Sequence, residues 1–202
     1  MWILRVLYVC LAAVCLLTGC KDHSRDYKIV GTLPSGQFDG EWIYLVPMEN
    51  PRGRIDSVKI ADASFSFAGS GEEVRVLRLR PVLRLKIQEL LVVTEPGRIT
   101  VKADSIGSVT GTPQNDALQE WKEMREGKLA AYRQLRRELK AAADADSLAL
   151  AQQLKDMRNE EREFSFRFLC RQGNNTLGQF MQKMLRATLT DEQKKQLDES
   201  LK

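Results

Sequence analysis

The chain has 202 residues, with 31 basic and 27 acidic side chains, a net charge of +4 and 43% hydrophobic residues. Such a mild basic excess does not point to nucleic acid as a partner. The length suits one large domain or two small ones.

Arg5 precedes an unbroken apolar run from Val6 to Leu17, with Trp2, Ile3 and Leu4 at the very start. One positive charge before about a dozen apolar residues is the layout of a secretory signal peptide, too short for the roughly 20 residues of a spanning helix. The run ends at Leu17-Thr18-Gly19-Cys20, which resembles the lipobox of bacterial lipoproteins. An ordinary signal peptide, or an anchor helix with a chance cysteine, is the alternative. The resemblance implies that the Cys20 thiol receives a diacylglyceryl group, that the chain is cut after Gly19, and that the new amine is acylated. Three acyl chains, at about 0.8 kcal/mol per buried methylene, make such an anchor effectively permanent. Residues 1–19 are therefore expected to be a lipoprotein signal peptide and residues 20–26 a lipidated tether. Lys21 to Asp26 are polar or charged and read as a solvated spacer, with a sorting signal as the alternative. The implied location is the cell envelope, at the outer membrane, with the membrane as a partner through lipid on Cys20.

Removal of Arg5 takes the basic count from 31 to 30 against 27 acidic residues. Cys10 and Cys15 go with the same segment, and lipid occupies Cys20, so Cys170 alone keeps a thiol. No intramolecular disulfide is then available, and the fold must rest on its apolar core. The one histidine, His23, falls in the tether. A Cys/His pair, a Ser-His-Asp set and a cluster of zinc ligands all lack their parts, so no catalytic residue, metal or cofactor is expected.

Residues 27–112 carry strand signals. Tyr27, Ile29 and Gly31 alternate with Lys28 and Val30 before Pro34-Ser35-Gly36, and Asp39-Gly40 precedes Trp42 to Val46. Ile55 to Ile60 and Ser64 to Ala68 flank Asp62 and predict a hairpin with Phe65 and Phe67 on its buried face. Leu90 to Thr94 and Ile99 to Ala103 flank the turn Glu95-Pro96-Gly97. Short strands separated by turn residues imply an antiparallel sandwich or open barrel.

Residues 113–202 are expected to be helical. Thr112 suits a cap and Pro113 the first helical position, where a missing N–H costs nothing. Leu118, Trp121, Met124, Tyr132, Leu135 and Leu139 recur at spacings near three and four, as do Leu150, Leu154, Met157, Phe164 and Phe168. The break Asp144-Ala145-Asp146-Ser147 separates helices of Pro113 to Ala142 and Ser147 to Gln172, a short link that makes them antiparallel neighbours. Thr176 to Ala187 forms a shorter helix, and Thr190-Asp191-Glu192-Gln193 opens another to about Leu201 with a capping box. The predicted fold class is α+β: an N-terminal antiparallel β-sandwich or open barrel followed by an antiparallel helical hairpin and two short helices.

Several motifs bear on function. Gly69-Ser70-Gly71 lacks the Lys-Ser/Thr pair and following helix of a phosphate loop and reads as a connection between strands. From Leu77 to Gln88 the odd positions are apolar, while Arg78, Arg80, Arg84 and Lys86 fall on the opposite face of a strand. Those four cations form either an anion-binding strip, for a carboxylated or phosphorylated ligand or lipid headgroups, or a solvated face that protects an edge strand. The solvated face is the favoured reading, and cross-strand partners decide between them. Cys170 follows Phe166, Phe168 and Leu169, neighbours that predict a buried, inert thiol rather than a redox one. Glu160, Glu161 and Glu163 interleave with Arg158, Arg162 and Arg167 as ion pairs on a helix surface, not as an acid/base dyad.

Tyr27-x-Ile29-x-Gly31, Phe38-Asp39-Gly40, Tyr44-Leu45, Asp56-Ser57, Phe65-x-Phe67-x-Gly69, Glu95-Pro96-Gly97 and Gly111-Thr112-x-x-Asn115 occur in that order. Together they resemble an uncharacterised domain that begins many lipoproteins of Gram-negative anaerobes and often precedes a thioredoxin-like domain. The resemblance covers about Tyr27 to Asn115. Asn175-x-x-Gly178 and Leu189-Thr190-x-Glu192-Gln193 are similar to the helical connector of those longer proteins. It implies a β domain, a connector and an envelope address. The Cys-x-x-Cys of the thioredoxin-like domain has no counterpart here, so no residue inherits a catalytic role. The expected function is a lipid-anchored, non-catalytic module that binds an envelope protein or a small ligand. The alternative is an accessory of a thiol–disulfide system acting through Cys170. Carboxylate-based hydrolysis ranks last, because no acidic pair has a recognisable setting.

Overall fold

Alternation of apolar and polar side chains sorts eight strands into two four-stranded sheets in the computed structural model, which describes residues 25–50, 53–79, 88–142 and 144–202. One sheet holds β1 (Asp26–Thr32), β4 (Ser64–Ser70), β7 (Gly97–Lys102) and β8 (Ser108–Thr110), in the order β4-β1-β7-β8. The other holds β2 (Trp42–Pro47), β3 (Asp56–Lys59), β5 (Val74–Leu79) and β6 (Leu90–Val93), in the order β3-β2-β5-β6. Along β1, Tyr27 and Ile29 are buried while Asp26 and Lys28 stay exposed, as a period of two requires. The inner faces meet in one core that encloses Ile29, Ile43, Leu45, Val92 and Ile99 completely. Each such side chain contributes about 1.5–3 kcal/mol. Gly31 is part of this packing: its register partner is Phe65, and a Cβ at Gly31 would run into the Phe65 ring.

Around Asp62 the predicted reversal forms, closed by Ala61 and Ser64 bonding each other's backbone at 3.0 and 2.9 Å, with Phe65 and Phe67 buried. Its two strands then part into different sheets, so the chain arches from one sheet to the other. β3 belongs to the second sheet and β4 to the first, and only Ala61 and Ser64 form a bridge between them. Asp62 and Ala63 sit at φ +50° and +51°, and the Asp39 carboxylate accepts their N–H groups at 3.1 and 2.9 Å. That carboxylate holds two non-glycine residues in the left-handed region. β6 and β7, on either side of Glu95-Pro96-Gly97, also join opposite sheets. β7 consequently reaches β1 in parallel, from Tyr27 opposite Gly97 to Thr32 opposite Lys102, while the other ladders are antiparallel.

The helices are α1 (Pro113–Ala141), α2 (Asp144–Gln172), α3 (Thr176–Leu185) and α4 (Asp191–Ser200). α2 begins three residues ahead of the expected Ser147, since the break contains no glycine or proline to stop it. Asn175 caps α3 by accepting the Gly178 N–H, and Thr190 with Gln193 closes the expected capping box on α4. Leu118, Phe168, Leu169, Leu177, Met181 and Leu197 form a second core over the outer face of β5 and β6, with Val74 and Val93. β5 is thereby buried on both faces, with Leu77 and Leu79 in the sandwich and Val74 under the helices. Lys183 of α3 reaches Glu49, after β2, at 2.6 Å. No helix among the described residues is long and apolar enough to cross a membrane.

Candidate functional site

β6 and β8 end their respective sheets, and an open strand edge leaves backbone N–H and C=O groups in need of partners. The first turns of α1 supply them. Asn115, fully buried, accepts the Val93 N–H at 2.9 Å and donates to the Val93 carbonyl at 2.8 Å, much as a neighbouring strand would. One turn later Gln119 accepts the Val109 N–H at 3.1 Å. The helix start is capped from outside: Glu95, rather than Thr112, accepts the backbone N–H groups of Gln114 (2.7 Å) and Asn115 (3.2 Å). A carboxylate there satisfies orphan donors and meets the positive end of the helix dipole. Gln114 extends the node, accepting the Leu177 N–H and donating to Glu72 and Glu95.

Beside this seal a cleft of about 550 Å³ lies between β6, β8, α1 and α2, a size usual for small-molecule sites. Leu90, Leu91, Val109, Leu118 and Trp121 form its floor, with Leu129, Tyr132 and Met157 on the helical side. Charges ring it, most of them already matched. Lys122 donates to the carbonyls of Ile106 and Gly107 and to Glu126. Arg125 lies 4.8 Å from the Trp121 ring centre and pairs with Glu161 at 3.3 Å. Arg158 differs: its Nε and Nη2 donate to the Tyr132 hydroxyl at 3.3 and 3.0 Å, and among the described residues it has no ion pair. The Trp121 indole N–H is buried and has no hydrogen-bond partner among the described residues. No serine, threonine, cysteine or histidine is among the described lining residues, and Glu89, Glu126 and Glu161 each face a cation. The floor is apolar and suits an apolar body.

A second ionic cluster is self-contained. Arg75 bonds Glu73 through Nε at 2.6 Å and Asp56 at 2.8 Å. Burial works against its charge, but those bonds outweigh it and raise the guanidinium above its ordinary range. Burial also pushes the Tyr27 hydroxyl up.

Of the residues singled out in the sequence, Gly19, Cys20, Arg80, Arg84 and Lys86 lie outside the described residues. Arg78 stands on the outer face of β5 and pairs with Glu89 at 3.1 Å, so its charge is met within the fold. Cys170 is only half buried; its sulfur lies 3.9 Å from the Ser200 hydroxyl and its neighbours belong to the second core. No group of three or more potential metal ligands occurs among the described residues. The cleft was missed because its residues come from four elements, and Trp121 and Tyr132 read as ordinary members of a helix's inner face.

Residues 27–118 match the model of a family described as a domain of unknown function, DUF4369. No curated protein and no solved structure matches the chain. Within the matched span the motif residues have structural tasks. Tyr27 packs on Gly69, Gly31 makes room for Phe65, Asp39 holds the arch, Asp56 pairs with Arg75, and Glu95 with Asn115 seals the sandwich edge.

Proposed function

We propose that this chain is a lipid-anchored protein of the cell envelope, at the outer membrane, whose body is a non-catalytic binding module. The observation that carries the binding role is the cleft over Trp121: an apolar floor ringed by charges that mostly neutralise one another. The anchor rests on Leu17-Thr18-Gly19-Cys20. Cells expressing the chain should incorporate labelled palmitate into it, and Cys20→Ala should abolish both label and processing; unlabelled, freely soluble wild type overturns the anchor. The binding role is tested with an uncharged apolar probe, 10-bromodecan-1-ol, which should quench Trp121 fluorescence saturably.

Half-exposed Cys170 favours one second reading, an accessory to a thiol–disulfide system of the kind that thioredoxin-like domains serve. Packing against Phe168 and Leu169 argues for slow reaction with a thiol reagent in the native state and fast reaction after denaturation. A native Cys170 that reacts like a free thiol and traps an envelope protein in a mixed disulfide would replace the binding reading.

A further inference from the structure

We infer that the cleft takes an amphipathic monocarboxylate, a flexible apolar chain ending in one carboxylate; this rests on the binding role proposed above and names its ligand class. Trp121, Leu129 and Met157 offer an apolar surface without a fixed polar pattern, and a methionine thioether adapts to chains of varied shape. The charge balance selects the head. Lys122 and Arg125 are neutralised by Glu126 and Glu161, whereas the Arg158 guanidinium meets only Tyr132, bonding its hydroxyl and lying 5.8 Å from its ring centre, and no carboxylate among the described residues. That hydroxyl takes Nε and one Nη2 proton and steadies the guanidinium, leaving further N–H groups for an incoming anion. The Trp121 indole N–H also lacks an acceptor but is closed off from the cleft, so among the described lining residues Arg158 is the donor left for a ligand that accepts. One negative charge suits the site. A second would stand near Glu89, Glu126 and Glu161 on the same rim and be repelled.

The test uses the full chain in phosphatidylcholine vesicles, with Trp2 and Trp42 replaced by phenylalanine so that emission reports Trp121. It is titrated with 10-bromodecanoate and with 10-bromodecan-1-ol. The carboxylate should quench saturably with about ten-fold higher affinity than the alcohol, the gain of one charge-assisted hydrogen-bonded contact. Arg158→Gln should remove that advantage, chiefly by weakening the carboxylate, and Arg158→Lys should restore part of it. Equal affinities in the wild type overturn the carboxylate while the binding role stands, and an advantage that survives Arg158→Gln overturns Arg158 as the group that selects the head. Failure of both ligands to quench overturns the inference and the binding role together.

Discussion

At the base of the α1–α2 hairpin, Asn115 and Gln119 are bonded to strand backbone, and Trp121 and Phe168 are buried in the second core. Along the outer half, Leu154 is buried, but Tyr132, Leu135, Leu139 and Met157 are only half covered. Each helix has 29 residues, or about 43 Å at 1.5 Å per residue, so the two ends experience different surroundings. The base is held by polar bonds that water cannot reach, and the outer half by one partly wetted seam. Local opening should therefore start at the outer end and stop short of Trp121. The cleft sits where these regimes meet, with Leu118 and Trp121 from the firm end and Leu129, Tyr132 and Met157 from the loose one.

The largest effect should come from the base. Asn115→Ala leaves the buried Val93 N–H without its acceptor and the Val93 carbonyl with only the Glu95 N–H, and should cost about 3 kcal/mol in urea unfolding, the upper end of the roughly 1–3 kcal/mol for a buried group left unsatisfied. A loss below about 1 kcal/mol would mean that the edge is sealed by something other than this side chain. Leu154→Ala should come next, at about 2 kcal/mol, the low end for a buried leucine because the seam can collapse. Its effect should be confined: amide exchange should quicken from about Tyr132 to Met157 while the strands keep their protection. Strand exchange that rises equally would show the hairpin and sandwich to be one cooperative unit.

The smallest effect concerns acid. Asp104 accepts the N–H groups of Gly107 and Ile106, and these bonds lower its pKa below the ordinary 3.8. A depressed folded-state value stabilises the protein above that pH, and the contribution fades as the pH falls through 3.8 toward the lower folded value. Lys122 donates to the carbonyls of Ile106 and Gly107 in the same turn, so acid should loosen the base of the hairpin in preference to its outer half. Asp104→Asn should flatten the acid limb of the stability curve, and an unchanged limb would remove Asp104 from the account.

Strands and helices were legible because burial on one face imposes a period, and Tyr27-x-Ile29 or Leu118-x-x-Trp121 displays it. Pairing was less so. Asp62 and Glu95-Pro96-Gly97 announce that the chain reverses, but the same turn chemistry serves a hairpin within a sheet and an arch across the core. Which one forms depends on Asp39, distant in sequence, and on room for β7 beside β1. β8, at three residues, is too short to show any period. In the cleft, the sequence displayed Arg158 only as one member of a charged run; that Tyr132 rather than a carboxylate would face it depends on how two helices align.

β1 also has a mechanical role set by its place in the sheet. It is the first described strand, yet it lies between β4, with seven register pairs, and β7, with six. Any pull transmitted through the residues ahead of Asp26 therefore loads two ladders at once, and both must shear before the strand leaves. An edge strand would peel away from one neighbour, bond after bond. Resistance to such a force is governed by the rate of unfolding rather than by equilibrium stability, and a central first strand is the arrangement that keeps this rate low for a body tugged from its N-terminal side.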